Sequence, residues 1–174
     1  MADESEILLK TRKFNVERRR FSVAGRRSVT REIVVHPGAV IILPLLTDED
    51  IIMIHNYRYA VERELVELPA GTLEPGEVPA ACAARELEEE TGYRAGWIEP
   101  FGEFFTTPGI TNERMYCFIA HDLEQTQQAL DDTEQIRPEA VPLARAIGWI
   151  RDGRIVDGKT IAVLLRYELE RRRD

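Results

Sequence analysis

The amino-acid sequence predicts a mixed α/β (α+β) layer fold, and three observations lead to this class. Residues 39–46 form an unbroken apolar run, AVIILPLL, which is typical of a strand buried on both faces. Several other short segments alternate apolar and polar residues, as half-buried strands do. One helix is expected at the centre of the chain and two near its C-terminus, so helices and strands must share a core.

The first 35 residues are expected to contribute two or three antiparallel strands. Residues 14–17 alternate in polarity, and Ala24–Arg27 is a turn candidate. The segment is too short for a hydrophobic core of its own. We therefore divide the chain into an N-terminal strand region, residues 1–35, and a main domain, residues 36–174. The N-terminal strands must pack either on this main domain or on a second copy of the chain.

The main domain starts after a break at His36–Gly38. The central helix is bounded by Pro79, which suits a first helical turn, and Gly92, which suits a helix end. The other elements are strands at 39–46, 51–57, 65–68, 97–105 and 114–120, a polar loop at 124–137, and helices near 138–151 and 159–172.

Composition limits the partners of this 174-residue chain. Its net charge of −8 argues against general nucleic-acid binding. No apolar run approaches the ~20 residues of a membrane span, and the acidic start, MADESE, is no secretory signal. The two cysteines, Cys82 and Cys117, form neither a disulfide framework nor a zinc set. These features predict a cytoplasmic protein that binds neither nucleic acid nor membranes.

The C-terminal end of the central helix is strongly acidic. Four of the five residues from Glu86 to Glu90 are glutamates, although acids there meet the negative end of the helix dipole. At about 100° per residue, Glu86 and Glu90 lie about 40° apart and Glu89 about 60° further round, whereas Glu88 points elsewhere. Such oxygen ligands suit Mg²⁺ or Mn²⁺ rather than zinc. The alternative is a solvated acidic face.

The spacing around these acids is constrained over 23 residues. Five residues separate Gly71 from Glu77, and seven more precede the string Arg85-Glu86-Leu87-x-Glu89-Glu90-x-Gly92-Tyr93. This pattern resembles the Nudix box, the signature of the Nudix hydrolases, and departs from it only at Tyr93, where an aliphatic residue is usual. The resemblance implies an α/β/α sandwich with a mixed sheet. It also implies hydrolysis of a nucleoside diphosphate linked to another group.

The resemblance further implies a metal site. It assigns Mg²⁺, or Mn²⁺, to Glu86 and Glu90, with Glu89 sharing or supporting the site and the backbone carbonyl of Ala70 adding a contact. Arg85 would orient an acid, and an ordinary i,i+4 pair with Glu89 is an equal alternative. Glu77 is expected to buttress the loop rather than bind metal.

A second resemblance lies outside the box. Pro108 stands fifteen residues after Tyr93, within the segment TPGITNE at residues 107–113. This context resembles the ADP-ribose pyrophosphatases. Further similar segments are REI at 31–33, HPGAV at 36–40, YRY at 57–59, ELPAG at 67–71 and GRIVD at 153–157.

This second resemblance implies substrate contacts. Arg58 would contact the diphosphate, and Arg31 would lie by the adenine. Glu113 would contact the substrate from the other subunit of a homodimer, and Gly109 of the same segment is a further substrate contact. Phe14 would stack on adenine, the alternative being a core aromatic of the hairpin.

The resemblance also implies a general base on a loop late in the chain, which the acidic residues 131–134 match. Glu134 is the first candidate, as the base or as an additional metal contact, and Asp132 is the second. Related enzymes can carry the longer glutamate at the position of Asp132, and a solvated acidic turn is the alternative for the loop. Together these features predict a Mg²⁺-dependent ADP-ribose pyrophosphatase that yields AMP and ribose 5-phosphate. The alternatives are hydrolysis of another nucleotide sugar, such as ADP-glucose or GDP-mannose, and a non-catalytic Nudix-fold ligand sensor.

Overall fold

The computed structural model describes residues 2–22, 27–131 and 133–172. The described ranges contain ten strands and three helices. The strands are β1 (Glu4–Lys10), β2 (Asn15–Phe21), β3 (Val29–Val35), β4 (Ala39–Pro44), β5 (Asp50–Arg58), β6 (Arg63–Glu67), β7 (Ala70–Thr72), β8 (Tyr93–Phe105), β9 (Arg114–Gln125) and β10 (Ile136–Pro142). The helices are α1 (Pro79–Thr91), α2 (Leu143–Arg151) and α3 (Gly158–Arg171).

A mixed four-stranded sheet in the order β7-β4-β9-β8 forms the centre of the molecule. Strands β4 and β9 are parallel and the outer pairs are antiparallel. Because side chains alternate across a strand, Val40 and Ile42 of β4 pack with α1, whereas Ile41 and Leu43 belong to the core on the opposite face. Both faces of β4 are therefore covered, which explains its unbroken apolar run.

The second face of this sheet is covered by another sheet and the two C-terminal helices. Strands β10-β5-β6 form an antiparallel sheet whose apolar residues join the same core as α2 and α3. The hydroxyl of Thr160 on α3 accepts a 2.9 Å hydrogen bond from the backbone N–H of Leu68, just after β6. Layers of helix, sheet and helix confirm the expected sandwich class.

The sequence was misleading around residue 138. A helix was expected from Pro138 to Arg151, but Pro138 lies in β10 opposite Ile54, and α2 begins only at Leu143. β10 is an edge strand, where proline's missing N–H is tolerated. The expected loop at residues 124–137 is correspondingly shorter, because β9 continues to Gln125 and β10 begins at Ile136.

Two elements near the central helix also differ from expectation. The segment around Gly71 is a short strand, β7, rather than loop, because it pairs with β4 at the sheet edge. β8 begins at Tyr93 instead of residue 97, directly after the helix ends.

The N-terminal strands form a sheet of their own, β1-β2-β3. Every residue of β1 is exposed, including Ile7 at 57% and Leu9 at 53%. The sheet is tied to the main domain where the backbone N–H of Val34 donates to the carbonyl of Ile110 at 2.9 Å. Of the turn expected at Ala24–Arg27, all but Arg27 lies outside the described residues.

Two findings bear on the compositional expectations. Among the described helices, none combines the length and apolar character needed to cross a bilayer. Cys82 and Cys117 are both free thiols buried in the core, on α1 and β9 as expected.

Candidate active site

The acidic end of α1 is fixed by the way this helix starts, packs and ends. Pro79 occupies its first turn, and Cys82 and Leu87 are buried against the central sheet. Gly92 ends the helix in the left-handed conformation, with a φ of 69°, and its N–H donates to the carbonyl of Glu88. The last turn holds no basic residue. No basic residue in this turn therefore offsets the negative end of the dipole.

Glu90 is a buried carboxylate, only 3% exposed. Its Oε2 accepts a 2.9 Å hydrogen bond from the backbone N–H of Ala70. Burial raises the pKa of Glu90 to about 8, and burial likewise raises the pKa of Glu86, whose side chain is 13% exposed. Desolvation disfavours the charged form of both acids, so a cation placed between them would offset an electrostatic cost.

The strand that carries Ala70 runs directly against these carboxylates. A Cβ placed on Gly71 would lie 1.9 Å from the carboxyl carbon of Glu86. No side chain larger than hydrogen fits there while Glu86 keeps its position. Glycine at this position therefore lets the backbone at residues 70–72 approach the acidic helix end.

Arg85 connects the helix to the preceding loop. Its Nε and Nη2 donate to the two oxygens of Glu77 at 3.0 and 3.1 Å, and its Nη1 donates to Glu86 at 2.8 Å and to Glu89 at 2.9 Å. Both geometries expected for Arg85, the orienting pair and the i,i+4 pair, occur together. Glu77 also accepts from the backbone N–H of Glu74, which fastens the loop.

The Glu77–Arg85 pair should make stability sensitive to acid. Hydrogen bonds from Arg85 lower the pKa of Glu77 from 4.5 to about 2. A lowered folded-state pKa adds stability that is present above about pH 4.5 and is lost as the pH falls towards 2. We expect Glu77→Gln to have a lower melting temperature than the wild type at pH 7, with the two values converging near pH 2. Thermal unfolding between pH 2 and 7 measures this, and a constant difference across the range would contradict it.

The acids suit a divalent cation in their chemistry, although they are not clustered around a point. Within the described residues, no three His, Cys, Asp or Glu side chains are gathered as a metal cage. Glu86 and Glu89 turn towards Arg85, and Glu90 towards Ala70. Arg85 and the N–H of Ala70 therefore bind the same carboxylates that a cation would bind. The donors are hard oxygens, the preferred ligands of Mg²⁺ and Mn²⁺.

Glu88 takes no part in this arrangement. It forms a 2.7 Å ion pair with the exposed Arg94, as its angular position on the helix indicates.

A cavity of about 600 Å³ adjoins the acidic helix end through the backbone of residues 70–72. Arg58 and Glu113 both line it. Arg58 donates from Nε and Nη2 to the two oxygens of Glu67. Glu113 accepts a hydrogen bond from the hydroxyl of Thr106. The cavity thus brings an arginine and a carboxylate next to the expected metal ligands.

Three of the expected substrate contacts do not line this cavity within one chain. Gly109 lies on the neighbouring loop, and a Cβ built on it would meet no other side chain or element within 4 Å. Arg31, on β3, donates to the carbonyl of Thr30. Phe14, at the β1–β2 turn, is 37% exposed.

Glu134, the expected base, acts electrostatically on the acidic helix end. Glu134 is exposed, and its Oε2 accepts from the backbone N–H of Asp131 at 3.2 Å. The charge of Glu134 contributes to the raised pKa of Glu86 and of Glu90. Its carboxylate therefore lies close enough to both acids to interact with them. Asp132 lies outside the described residues.

Sequence reasoning predicted Arg58 but missed the charged residues that bind it and line the cavity beside it. Glu67 is fully buried and binds both Arg58 and Lys159, and Lys159 also pairs with Asp157. A signal for Glu67 was present, because its carboxylate interrupts the short apolar stretch from Leu65 to Leu68. Lys159 carries no such signal, since its partner lies 92 residues away.

Comparison with known proteins identifies the fold and several relatives. The family model described as "NUDIX domain" matches residues 35–164. The chain is 39% identical over 142 residues to the ADP-ribose pyrophosphatase of Bacillus subtilis, covering 80% of this chain and 77% of that protein. The methanol dehydrogenase activator of Bacillus methanolicus shows the same identity and coverage.

A GDP-mannose pyrophosphatase of Salmonella typhimurium is 34% identical over 140 residues, covering 75% of this chain and 72% of that protein. Among solved structures, one described as an ADP compounds hydrolase superimposes with a TM-score of 0.83. It is 23% identical and covers 97% of this chain and 91% of its own. This similarity supports the fold.

Proposed function

Because the chain belongs to the Nudix hydrolase family, we propose that it hydrolyses the diphosphate bond of ADP-ribose to give AMP and ribose 5-phosphate. One observation carries this proposal. A single cavity joins Arg58 and Glu113 to the backbone of residues 70–72, which lies against the acidic end of α1. The likeness to the ADP-ribose pyrophosphatase of Bacillus subtilis supports the choice of substrate.

The divalent cation of this enzyme would be Mg²⁺, with Mn²⁺ as the alternative. It would be held by Glu86, Glu89 and Glu90 together with the carbonyl of Ala70. Such a cation neutralises charge on a diphosphate and lowers the pKa of a bound water. The raised pKa of Glu86 and Glu90 supports this role, because buried acids release their protons most readily beside a positive charge. Arg85 holds Glu86 and Glu89 in place from the loop side.

The chain's own residues supply binding and proton transfer. Arg58 has Nε and Nη2 engaged by Glu67, which orients the guanidinium so that Nη1 can donate to a phosphate oxygen. Glu134 accepts the proton of the attacking water as a new bond forms to phosphorus. The bond between that phosphorus and the bridging oxygen breaks, and the leaving phosphate takes the electron pair. Asp132 is the second candidate for the base.

The adenine would lie near Arg31 and Phe14, which the N-terminal strands supply across a homodimer. Glu113, expected from the other subunit, lines the cavity of its own chain together with Arg58, and would contact the substrate there with Gly109 of the neighbouring loop. The exposed apolar side chains of β1 support the dimer, because they give the N-terminal sheet an apolar surface that a second subunit could cover. Light scattering on the purified protein tests the dimer, and a monomeric mass with full activity would rule this assignment out.

The metal proposal predicts a pH-dependent stabilisation. Burial raises the pKa of Glu90 from 4.5 to about 8, so the protein without metal loses stability as the pH rises through this window. A cation competes with the proton for this carboxylate, and its effect grows as the proton leaves. We expect Mg²⁺ to raise the melting temperature more at pH 8.5 than at pH 6. Differential scanning fluorimetry measures this, and an equal shift at both values would count against Glu90 as a ligand.

Turnover on a panel of nucleotide sugars tests the proposed function. With Mg²⁺ present, ADP-ribose should give the highest kcat/KM, with AMP and ribose 5-phosphate as products. Highest turnover on GDP-mannose or ADP-glucose would show that this nucleotide sugar, and not ADP-ribose, is the preferred substrate. GDP-mannose is the first alternative because of the likeness to a GDP-mannose pyrophosphatase. No turnover on any member of the panel would favour the non-catalytic ligand sensor.

The composition of the chain supports two further parts of the proposal. Two buried free thiols suit the reducing cytoplasm. A net charge of −8 disfavours nucleic acid as a partner. A reporter fusion followed by cell fractionation tests the location.

A further inference from the structure

The cavity contains a second cation besides Arg58. Lys159 lies in the first turn of α3 and lines the same cavity as Arg58 and residues 70–72. Its side chain is 14% exposed. A lysine this enclosed has lost most of its hydration, so its position depends on the groups that bind it.

Glu67 holds both cations. Its carboxylate has no exposed surface, and its Oε2 lies 2.5 Å from Nη2 of Arg58 and 2.5 Å from Nζ of Lys159. Because each nitrogen is 2.5 Å from the same oxygen, the two cannot be more than about 5 Å apart. The two side chains are therefore fixed close enough together to contact one small anion.

The remaining contacts of Lys159 leave it able to bind a ligand. Its Nζ also lies 2.9 Å from Asp157, whose other oxygen caps α3 by accepting from the N–H of Thr160. An ammonium group has three N–H donors. Glu67 and Asp157 engage two of them, and among the described residues no further hydrogen bond from Nζ is present. In the same way, no hydrogen bond in the described ranges engages Nη1 of Arg58.

We propose that Lys159 is a second diphosphate-binding residue, which acts with Arg58 on the same phosphate group, and that Glu67 is the positioning residue for both. This inference rests on the proposed function, since it names a further contact in the same site. A phosphate is favoured over the sugar or the base for two reasons. Two cations no more than about 5 Å apart suit an anion, and the cavity that they line meets the backbone packed against Glu86.

Binding of inorganic pyrophosphate in the presence of EDTA tests the inference without turnover. We expect Lys159→Met to raise the dissociation constant for pyrophosphate, measured by calorimetry, roughly 10- to 100-fold, as for loss of a charged hydrogen bond. Lys159→Arg keeps the positive charge and should retain most of the affinity. Arg145→Met removes an exposed charge on α2, outside the cavity lining, and should bind like the wild type.

Kinetics separate this role from a structural one. In the Mg²⁺-containing assay, Lys159→Met should raise KM by a similar factor for ADP-ribose and for ADP-glucose, because the diphosphate is common to both. Lys159→Gln keeps hydrogen bonding to Glu67 and is the second variant if the methionine variant does not fold. It should show the same loss of pyrophosphate affinity.

The outcomes distinguish this inference from the proposed function. A lowered melting temperature with unchanged pyrophosphate affinity and KM in both variants would make Lys159 a structural ion pair and overturn the inference. Failure of the wild type to bind pyrophosphate would overturn it as well. Wild-type binding that is lost in Lys159→Met and Lys159→Gln, without turnover of any nucleotide sugar, would support the inference and contradict the proposed function.

Discussion

Glu90→Gln is expected to lower kcat by at least about 10³-fold, because a cation's charge stabilisation of the reacting phosphate contributes several kcal/mol. The glutamine keeps the size of the side chain but removes the charge that holds the metal. The same change should leave the metal-free protein at pH 8 as stable as the wild type or more stable. Burial that raises the pKa of Glu90 to about 8 opposes ionisation of the carboxylate, and an amide has no such cost.

The neighbouring Glu88 offers a matched control. It lies on the same helix but forms an ion pair with Arg94 at the surface, so Glu88→Gln removes the same charge away from the cavity. Activity of Glu88→Gln should stay near that of the wild type. Steady-state kinetics across a Mg²⁺ titration, with thermal unfolding of each variant, give both results. Equal losses in the two glutamine variants would show that helix charge in general, rather than metal binding, governs the rate.

Gly71→Ala is the second change from which we expect a large loss, about 10²-fold in kcat/KM, as for misplacement of reacting groups by about 1 Å. The added methyl would lie 1.9 Å from the carboxyl carbon of Glu86. The long Glu86 side chain can move aside, so the fold should survive. Its carboxylate then leaves the place where the metal is expected, and the Mg²⁺ concentration for half-maximal activity should rise.

Gly148→Ala is the matched glycine substitution. Gly148 lies within α2, and a Cβ built there would meet no atom within 4 Å. Alanine in a helix is favoured over glycine by about 0.5–1 kcal/mol, so this variant should gain a little stability and keep its activity. A Gly71→Ala enzyme with wild-type kinetics and unchanged Mg²⁺ dependence would show that contact with Glu86 does not matter to the reaction.

The fold class could be derived from the sequence because its main signals are local. Each of these signals depends on residues within a few positions of one another. They are the apolar run in β4, the proline and glycine at the two ends of α1, and the glutamates of α1, of which three lie towards one side and Glu88 towards another. Helical and strand periodicity act over such short distances. The same locality explains the error at Pro138, which forms an edge strand because of β5, a partner more than 80 residues away in the chain.

The candidate site divides in the same way. The sequence by itself determined the family and the acidic helix end. It also showed that Glu88 points away from the other three glutamates, since spacing along one helix sets the direction of each side chain. Only the tertiary structure decided that β7 runs against Glu86, that the charge of Glu134 acts on Glu86 and Glu90, and that Glu67 binds Arg58 and Lys159. These contacts join segments distant in sequence, and whether they form depends on how the sheets and helices pack, which no local pattern of residues encodes.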